Sequence, residues 1–308
     1  MSCRVVFMGS PLFATPTLKA LKNKFEVVHV FSQPDKPIGR GQLLTPTPVK
    51  ITARELGISC SEPDKLEEPR LLDLFENLNP DAIVVVAYGK LLPKKILELP
   101  PLGCLNLHAS LLPRHRGPSP ISNCILSGDE ETGNTVMLMD EGIDTGAIVA
   151  QRRIDIGAHD TAEDLHNKLM ELGPPLMVET IINLMNKMIT PVSQDGTKAT
   201  YSRLVKKTDG LLDWNLDNVR LERIVRAMNP WPVAFFVMGK DNVKVWRAES
   251  FPGTAEPGMI KDITSEGLLV GTGKGLLMLN EVQAPSKKRI SGSEFARGRR
   301  LHPGFRII

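Results

Sequence analysis

The chain is short of the features that mark exported, membrane-bound or metal-built proteins. Only four of its 308 residues are cysteine. Cys3, Cys60, Cys104 and Cys124 are widely separated, with no C-x-x-C pair and no Cys/His ligand cluster, which argues against a disulfide framework or a zinc site. Nowhere do ~20 uncharged apolar residues follow one another, and the opening MSCRVVFMGS has one basic residue before a short apolar run ending at Gly9. A signal peptide, a transit peptide and a membrane span are therefore not expected, and a cytoplasmic location is. Also missing are a G-x-S-x-G elbow, a Walker loop and an H-E-x-x-H pair, so neither a metal nor a covalent enzyme intermediate is expected. The first strand leads into MGSPLFA rather than G-x-G-x-x-G, which sets aside a dinucleotide oxidoreductase.

What is present is ordinary for a globular chain: 42% hydrophobic and 24% charged residues, enough for a substantial core. The length is about twice the commonest domain size, which favours two unequal domains. A net charge of +3 conceals an asymmetry. Residues 207–308 hold 16 basic against 11 acidic side chains, leaving 22 against 24 for residues 1–206. Such an excess by itself describes a solvated surface more often than a polyanion site.

Along the first half, short apolar runs (Val5 to Met8, Val27 to Phe31, Ala82 to Ala87, Leu105 to Leu107) alternate with amphipathic stretches such as Leu71, Leu74, Phe75 and Leu78. DAIVVVA is apolar without alternation, as a strand covered on both faces must be. The pattern predicts an α/β fold: a doubly wound, mainly parallel, Rossmann-like sheet, in which ligands sit beyond the carboxyl ends of the strands. A long helix from about Thr161 to Met188 opens on a Thr161/Asp164 N-cap pair. Pro174 and Pro175 leave open whether it is one kinked helix or two. TPVSQDGTKATYSRLVKK has no periodicity and is expected to be a linker. One amphipathic helix (Leu216, Val219, Ile224, Val225, Met228) then precedes the short strands VAFFVM, VKVWRA, GLLV and LLMLNEV, the pattern of a small OB-like β-barrel. The expected division is 1–189 as catalytic domain, 190–206 as linker and 207–308 as the smaller domain.

Chemistry concentrates in two segments. GCLNLHASLLPRHRG, residues 103–117, puts Asn106 and His108 two apart at a strand end, so both side chains project to one side of the sheet. There an amide can polarise a carbonyl while an imidazole handles a proton. MDEGIDTGAIV, residues 139–149, forms a Gly-punctuated loop with Asp140, Glu141 and Asp144. Any one of these acids, taken alone, reads more readily as a turn or solvent residue than as a catalyst.

Taken together, N-L-H-A-S-L-L-P-R-x-R-G, the preceding V-V-A-Y-G-K-L-L-P and the following M-x-M-D-x-G-x-D-T-G resemble the folate-dependent formyltransferases in order and spacing. The resemblance implies a catalytic trio of Asn106, His108 and Asp144. It implies that Ser110, Leu111, Leu112 and Pro113 line the folate site, with Val86, Ala87, Tyr88 and Gly89 and the loop from Asp140 around the pterin. QPDKPIGRGQLLTPTPVK (33–50) and RAMNPWP leading into VKVW place the match nearest to members that act on charged initiator tRNA. The implied reaction moves a formyl group from 10-formyltetrahydrofolate to the amino group of methionine on initiator methionyl-tRNA, by a chain expected to be monomeric. His115, Pro118 and Cys104 depart from the family pattern without touching the trio.

On that reading Asn106 donates to the formyl oxygen and Asp144 orients His108, while the assignment of each proton transfer stays open. The 33–50 segment has the composition of a projecting loop, carrying Lys36, Arg40 and Lys50. By resemblance it meets the acceptor stem, with Lys206, Lys287, Lys288 and Arg289 meeting phosphates elsewhere. Two other readings remain: a nucleotide-sugar formyltransferase, which shares the trio but should lack the basic Pro/Gly loop, and a non-catalytic RNA-binding protein, which leaves the trio unexplained.

Overall fold

The computed structural model describes residues 3–38 and 43–307. Two units separate: residues 1–120, 131–155 and 166–202 form the first, and residues 121–130, 156–165 and 203–308 the second. The strands of the first are β1 (Arg4–Gly9), β2 (Glu26–Phe31), β3 (Lys36–Ile38), β4 (Leu43–Thr45), β5 (Cys60–Ser61), β6 (Ala82–Val86), β7 (Cys104–His108), β8 (Glu131–Leu138) and β9 (Ile148–Asp155). The helices up to residue 185 are α1 (Thr15–Lys24), α2 (Pro48–Glu55), α3 (Pro69–Leu78), α4 (Lys94–Leu97), α5 (Pro120–Ser127) and α6 (Ala162–Met185).

Seven strands pair in the order β5-β2-β1-β6-β7-β8-β9. The first five run parallel, and β8 and β9 are antiparallel additions. This is the expected doubly wound, mainly parallel sheet. Every residue of β6 is buried, as its unbroken apolar run requires. On one face Phe31 stacks on Phe75 from α3, ring centroids 4.4 Å apart, in a core shared with Val6, Met8, Ile83 and Val85. β9 alternates between half-buried and exposed along Arg152 to Asp155, as befits an edge. Chain order reverses beside β1, and in sheets of this kind ligands sit beyond the carboxyl ends of the strands at such a reversal, here those of β1, β6 and β7.

Local chemistry sets the helix ends. Thr47 caps α2 by accepting from the Lys50 amide, with Pro48 pre-set in the first turn. Thr161 and Asp164 exchange side-chain and backbone bonds ahead of α6. The sequence leaves the two prolines undecided; α6 runs through both as one helix. The Asn134 amide of β8 donates to the Leu169 carbonyl just before them, 2.7 Å. Gly173 lets the helix close on Leu107, since a Cβ there would come within 2.6 Å of that side chain.

The second unit contains α7 (Asn218–Ala227) and α8 (Gly292–Gly298) with strands β10 (Ala234–Met238), β11 (Asp241–Phe251), β12 (Ile260–Ile263), β13 (Leu268–Gly271), β14 (Leu276–Gln283) and β15 (Ile290–Ser291). The sheet is antiparallel in the order β10-β11-β14-β13-β12, with β15 added to β14. β10, β11, β13 and β14 are the strands the sequence suggests, and β12 and β15 are added to them; among the described residues no pairing joins β12 back to β10. Phe236 meets Trp214 and Phe295 in its core.

Residues 190–202, part of the expected 190–206 linker, group with the first unit. Val192 and Ile148 exchange backbone bonds at 2.8 Å at the start of β9, and Thr200 and Ser202 bond the 113–116 backbone. Lack of periodicity marks a segment that is neither helix nor regular strand; it does not mark one that is unpacked.

Candidate active site

The register of β7 delivers the first two groups. Its burial pattern breaks at Asn106, the single half-buried residue between buried neighbours, and His108 ends the strand 7% exposed. The third group comes from the loop between β8 and β9. Asp144 Oδ1 lies 3.5 Å from Asn106 Nδ2, and Asp144 Oδ2 lies 3.5 Å from His108 Nδ1. The three side chains expected from sequence therefore meet.

Two of them are held from behind. The Gly117 amide donates to Asp144 Oδ2 at 2.8 Å. Gly117 has φ +107, and a Cβ there would lie 2.6 Å from the Ser202 carbonyl oxygen, so this close approach admits only glycine. Asp144 itself adopts φ +53, a left-handed conformation that costs a non-glycine residue about 1 kcal/mol or more and lasts only where the surroundings impose it. His108 Nε2 lies 3.0 Å from the His115 carbonyl oxygen. A carbonyl only accepts, so Nε2 carries the hydrogen and Nδ1 is the nitrogen turned toward Asp144. Burial pulls the His108 pKa below its ordinary 6.5, with Asp144 and the His115 carbonyl acting in the opposite direction.

The residues implied for the folate follow β6 and β7. Val86 and Tyr88 are buried, whereas Ala87 and Gly89 between and after them are exposed, presenting a strip of small-residue backbone at the strand end. Gln33 donates to the Tyr88 carbonyl at 2.9 Å. Lys94 and Glu141, 3.6 Å apart, tie the segment beyond β6 to the Asp140 loop. Asp140 accepts from the Gly142 amide and the Thr145 hydroxyl, which shapes the loop's turn. Thr135 of β8 donates to the Ser110 carbonyl and accepts from the Leu112 amide, while Gln151 donates to the Leu112 carbonyl. Ser110 and Leu112 are thus buried supports, Leu111 and Pro113 half-buried. A heterocycle with an amide-like edge needs exposed backbone beside apolar walls. Ala87 and Gly89 are exposed backbone of that kind, and Leu91 two residues on and Ile143 of the Asp140 loop are exposed apolar side chains.

The groups expected to meet RNA are dispersed. β3 and β4 pair antiparallel, with Lys36, Leu43 and Leu44 exposed; Arg40 lies outside the described residues. Lys50, counted with that loop, is in α2 and bridges Asp35 at 2.9 Å and Glu62 at 2.7 Å, which raises its pKa. Its charge is neutralised within the chain. In the second unit Lys206, Lys287 and Lys288 are exposed, and the Arg289 guanidinium stacks 3.3 Å from the Trp246 ring centroid. Trp246 donates to Gln283, which lines a groove with Lys240, Asn242 and Lys244.

Two residues that sequence reasoning did not single out complete the site. Arg116, 6% exposed, donates from Nε and Nη2 to Gln194 Oε1 at 3.1 and 2.7 Å. Gln194 in turn donates to the Asp144 and Gly146 carbonyls at 2.9 and 2.7 Å. No spacing rule connects residues 116, 144 and 194. The four cysteines are free thiols; burial pushes Cys104 up to about 12, so it serves packing rather than nucleophilic chemistry.

Buried histidines make stability depend on pH. Burial lowers His29 as well as His108, so below about 6.5 the unfolded chain binds protons that the folded chain refuses, and stability falls as pH falls through that window. Chemical denaturation is expected to give a lower midpoint at about pH 5.5 than at about pH 7.5, and the difference should shrink in His29→Asn. Equal midpoints would show that neither ring is held neutral by the fold.

An open, mainly parallel sheet thus brings an amide, an imidazole and a carboxylate together beyond its strand ends, a grouping suited to an enzyme that transfers a carbonyl-bearing group. The family model described as formyl transferase matches residues 3–181, and the one described as formyl transferase, C-terminal domain, matches residues 204–300. The chain belongs to the methionyl-tRNA formyltransferase family. It is 42% identical over 302 residues to the methionyl-tRNA formyltransferase of Citrifermentans bemidjiense, covering 98% of this chain and 95% of that one. The enzyme of the same name from Geobacter sulfurreducens is 42% identical over 305 residues, covering 99% and 96%. Among solved structures, the sugar 3N-formyl transferase WlaRD superposes with a TM-score of 0.67 at 19% identity, covering 94% of this chain and all of that one. That likeness is one of fold.

Proposed function

We propose that this chain transfers the formyl group of 10-formyltetrahydrofolate to the free amino group of methionine on initiator methionyl-tRNA. The observation that carries the chemistry is the meeting of Asn106, His108 and Asp144 at the carboxyl end of β7. The acceptor is supported by full-length similarity to methionyl-tRNA formyltransferases, which the distant sugar-transferring structures do not match.

When bound, the folate supplies an activated formyl carbon; Ala87, Gly89 and the Asp140 loop would hold its heterocycle. Asn106 Nδ2 donates to the oxygen on which negative charge develops. His108, whose pKa burial lowers, carries its hydrogen on Nε2 and directs the Nδ1 lone pair to the Asp144 side of the site. Nδ1 takes the proton that the attacking amine sheds. The resulting imidazolium lies between the His115 carbonyl and the Asp144 carboxylate, both of which stabilise it. That cation then returns a proton to the departing nitrogen.

The exposed bases of the second unit, with the Lys240 and Lys244 groove, hold the RNA backbone, and the 33–50 segment, whose sequence includes Arg40, meets the acceptor stem. Residues 207–308 act as the RNA-binding domain in this scheme. The test is to offer the purified chain 10-formyltetrahydrofolate with charged initiator tRNA and, separately, with an amino-sugar nucleotide. N-formylmethionine should form, with an affinity for tRNA that declines as salt rises. Formylation of the sugar alone would overturn the reading.

A further inference from the structure

We propose that Gln194 is a positioning residue of the active site, setting the place of the Asp144 carboxylate through a carboxamide clamp anchored on Arg116. This inference rests on the functional reading above and adds to it a residue outside the trio.

The geometry is specific to a carboxamide. Oε1 accepts twice from the Arg116 fork, and Nε2 donates twice, to the carbonyls of Asp144 and Gly146. Every hydrogen-bonding capacity of the side chain is used, and each bond falls on one of the two segments that surround His108. Arg116 adjoins Gly117, whose amide holds Asp144 Oδ2, and follows His115, whose carbonyl holds His108 Nε2. The main chain on either side of Gln194 continues the same work. Val192 pairs with Ile148 just beyond the acidic loop, and Thr200 and Ser202 bond His115 and Arg116. Residues 192–202 therefore strap the loop that offers the carboxylate to the loop that seats the imidazole. Gly146 can approach only without a side chain, since a Cβ there would lie 1.7 Å from the Leu138 carbonyl oxygen. The loop is closed against β8 on one side and gripped by Gln194 on the other.

Glutamate at this position divides the clamp. A carboxylate keeps the Arg116 fork, now as an ion pair, and faces the Asp144 and Gly146 carbonyls with no hydrogen to give them. Gln194→Glu should therefore keep the strap and release the catalytic loop. A misplacement of ~1 Å costs on the order of 10²-fold in rate, so Gln194→Glu and Gln194→Ala should each lower kcat by about that factor. KM for the folate and for charged tRNA should hold within about twofold, because the lost interaction matters only at the transition state.

The deciding measurement is a double-mutant cycle. In an Asp144→Asn background Gln194→Glu should cost less than about twofold further, because residues acting as a unit are not additive. An equal loss in both backgrounds, or undiminished kcat in both Gln194 variants, overturns the inference. So does collapse of the fold in both variants by circular dichroism, since Gln194 would then hold the unit together rather than place a carboxylate. Wild-type protein in the same assay separates the two readings. No transfer by wild type sinks the function itself, whereas wild-type transfer with fully active Gln194 variants sinks this inference alone.

Discussion

Replacing His108 by alanine is expected to lower kcat for formyl transfer by about 10² to 10⁴. The amine must lose a proton as it attacks, and Nδ1 of His108 is the basic atom with a fixed direction at this site, its partner Nε2 being committed to the His115 carbonyl. A second signature accompanies the loss. Burial sets the His108 pKa below 6.5, so the wild-type rate should hold through neutrality and decline only as pH drops beneath that value, when the base is protonated before substrate arrives. That acidic limb should vanish in His108→Ala, leaving the titration of the aminoacyl amine as the remaining low-pH effect. Single-turnover rates at saturating folate and tRNA, taken across pH, give both quantities. A variant that keeps its rate within about twofold would remove the imidazole from the proton path.

Asn106→Ala is the second large effect, a fall of about 10² to 10³ in kcat with kcat/KM falling in parallel. Its amide is held at the end of β7, facing the Asp144 side chain, and the developing oxyanion would be left without that donor. Asn106→Asp should be at least as damaging, because it sets a second carboxylate beside Asp144 Oδ1 where charge already accumulates. Steady-state assays of the two variants suffice. A rise in KM with kcat intact would mean that Asn106 grips the ground state and does not stabilise the oxyanion.

Much of this was open to a reader of the chain. The N-x-H spacing at a strand end is enough to place two side chains on one face, because strand periodicity is a local property. The apolar run of β6 announces a doubly covered strand for the same reason. Lys50 shows where such reading stops: its place near a Pro/Gly loop suggests a free cation, and only the fold discloses Asp35 and Glu62 at bonding distance. Pro174 and Pro175 show it again, since the sequence leaves one kinked helix or two open and the fold carries α6 through both as one helix.

The sequence alone marked most of the long strands and, through a family resemblance, the trio Asn106, His108 and Asp144 as candidates, because periodicity, capping and motif spacing act over a few residues. Tertiary structure alone decided which nitrogen of His108 faces a carbonyl, where the Asp144 carboxylate stands, and that residues 192–202 bond to the 113–116 backbone and to Ile148. Those outcomes depend on contacts such as Gln194 with Arg116, 78 positions apart. No local rule encodes a bond whose partners meet only once the sheet has formed.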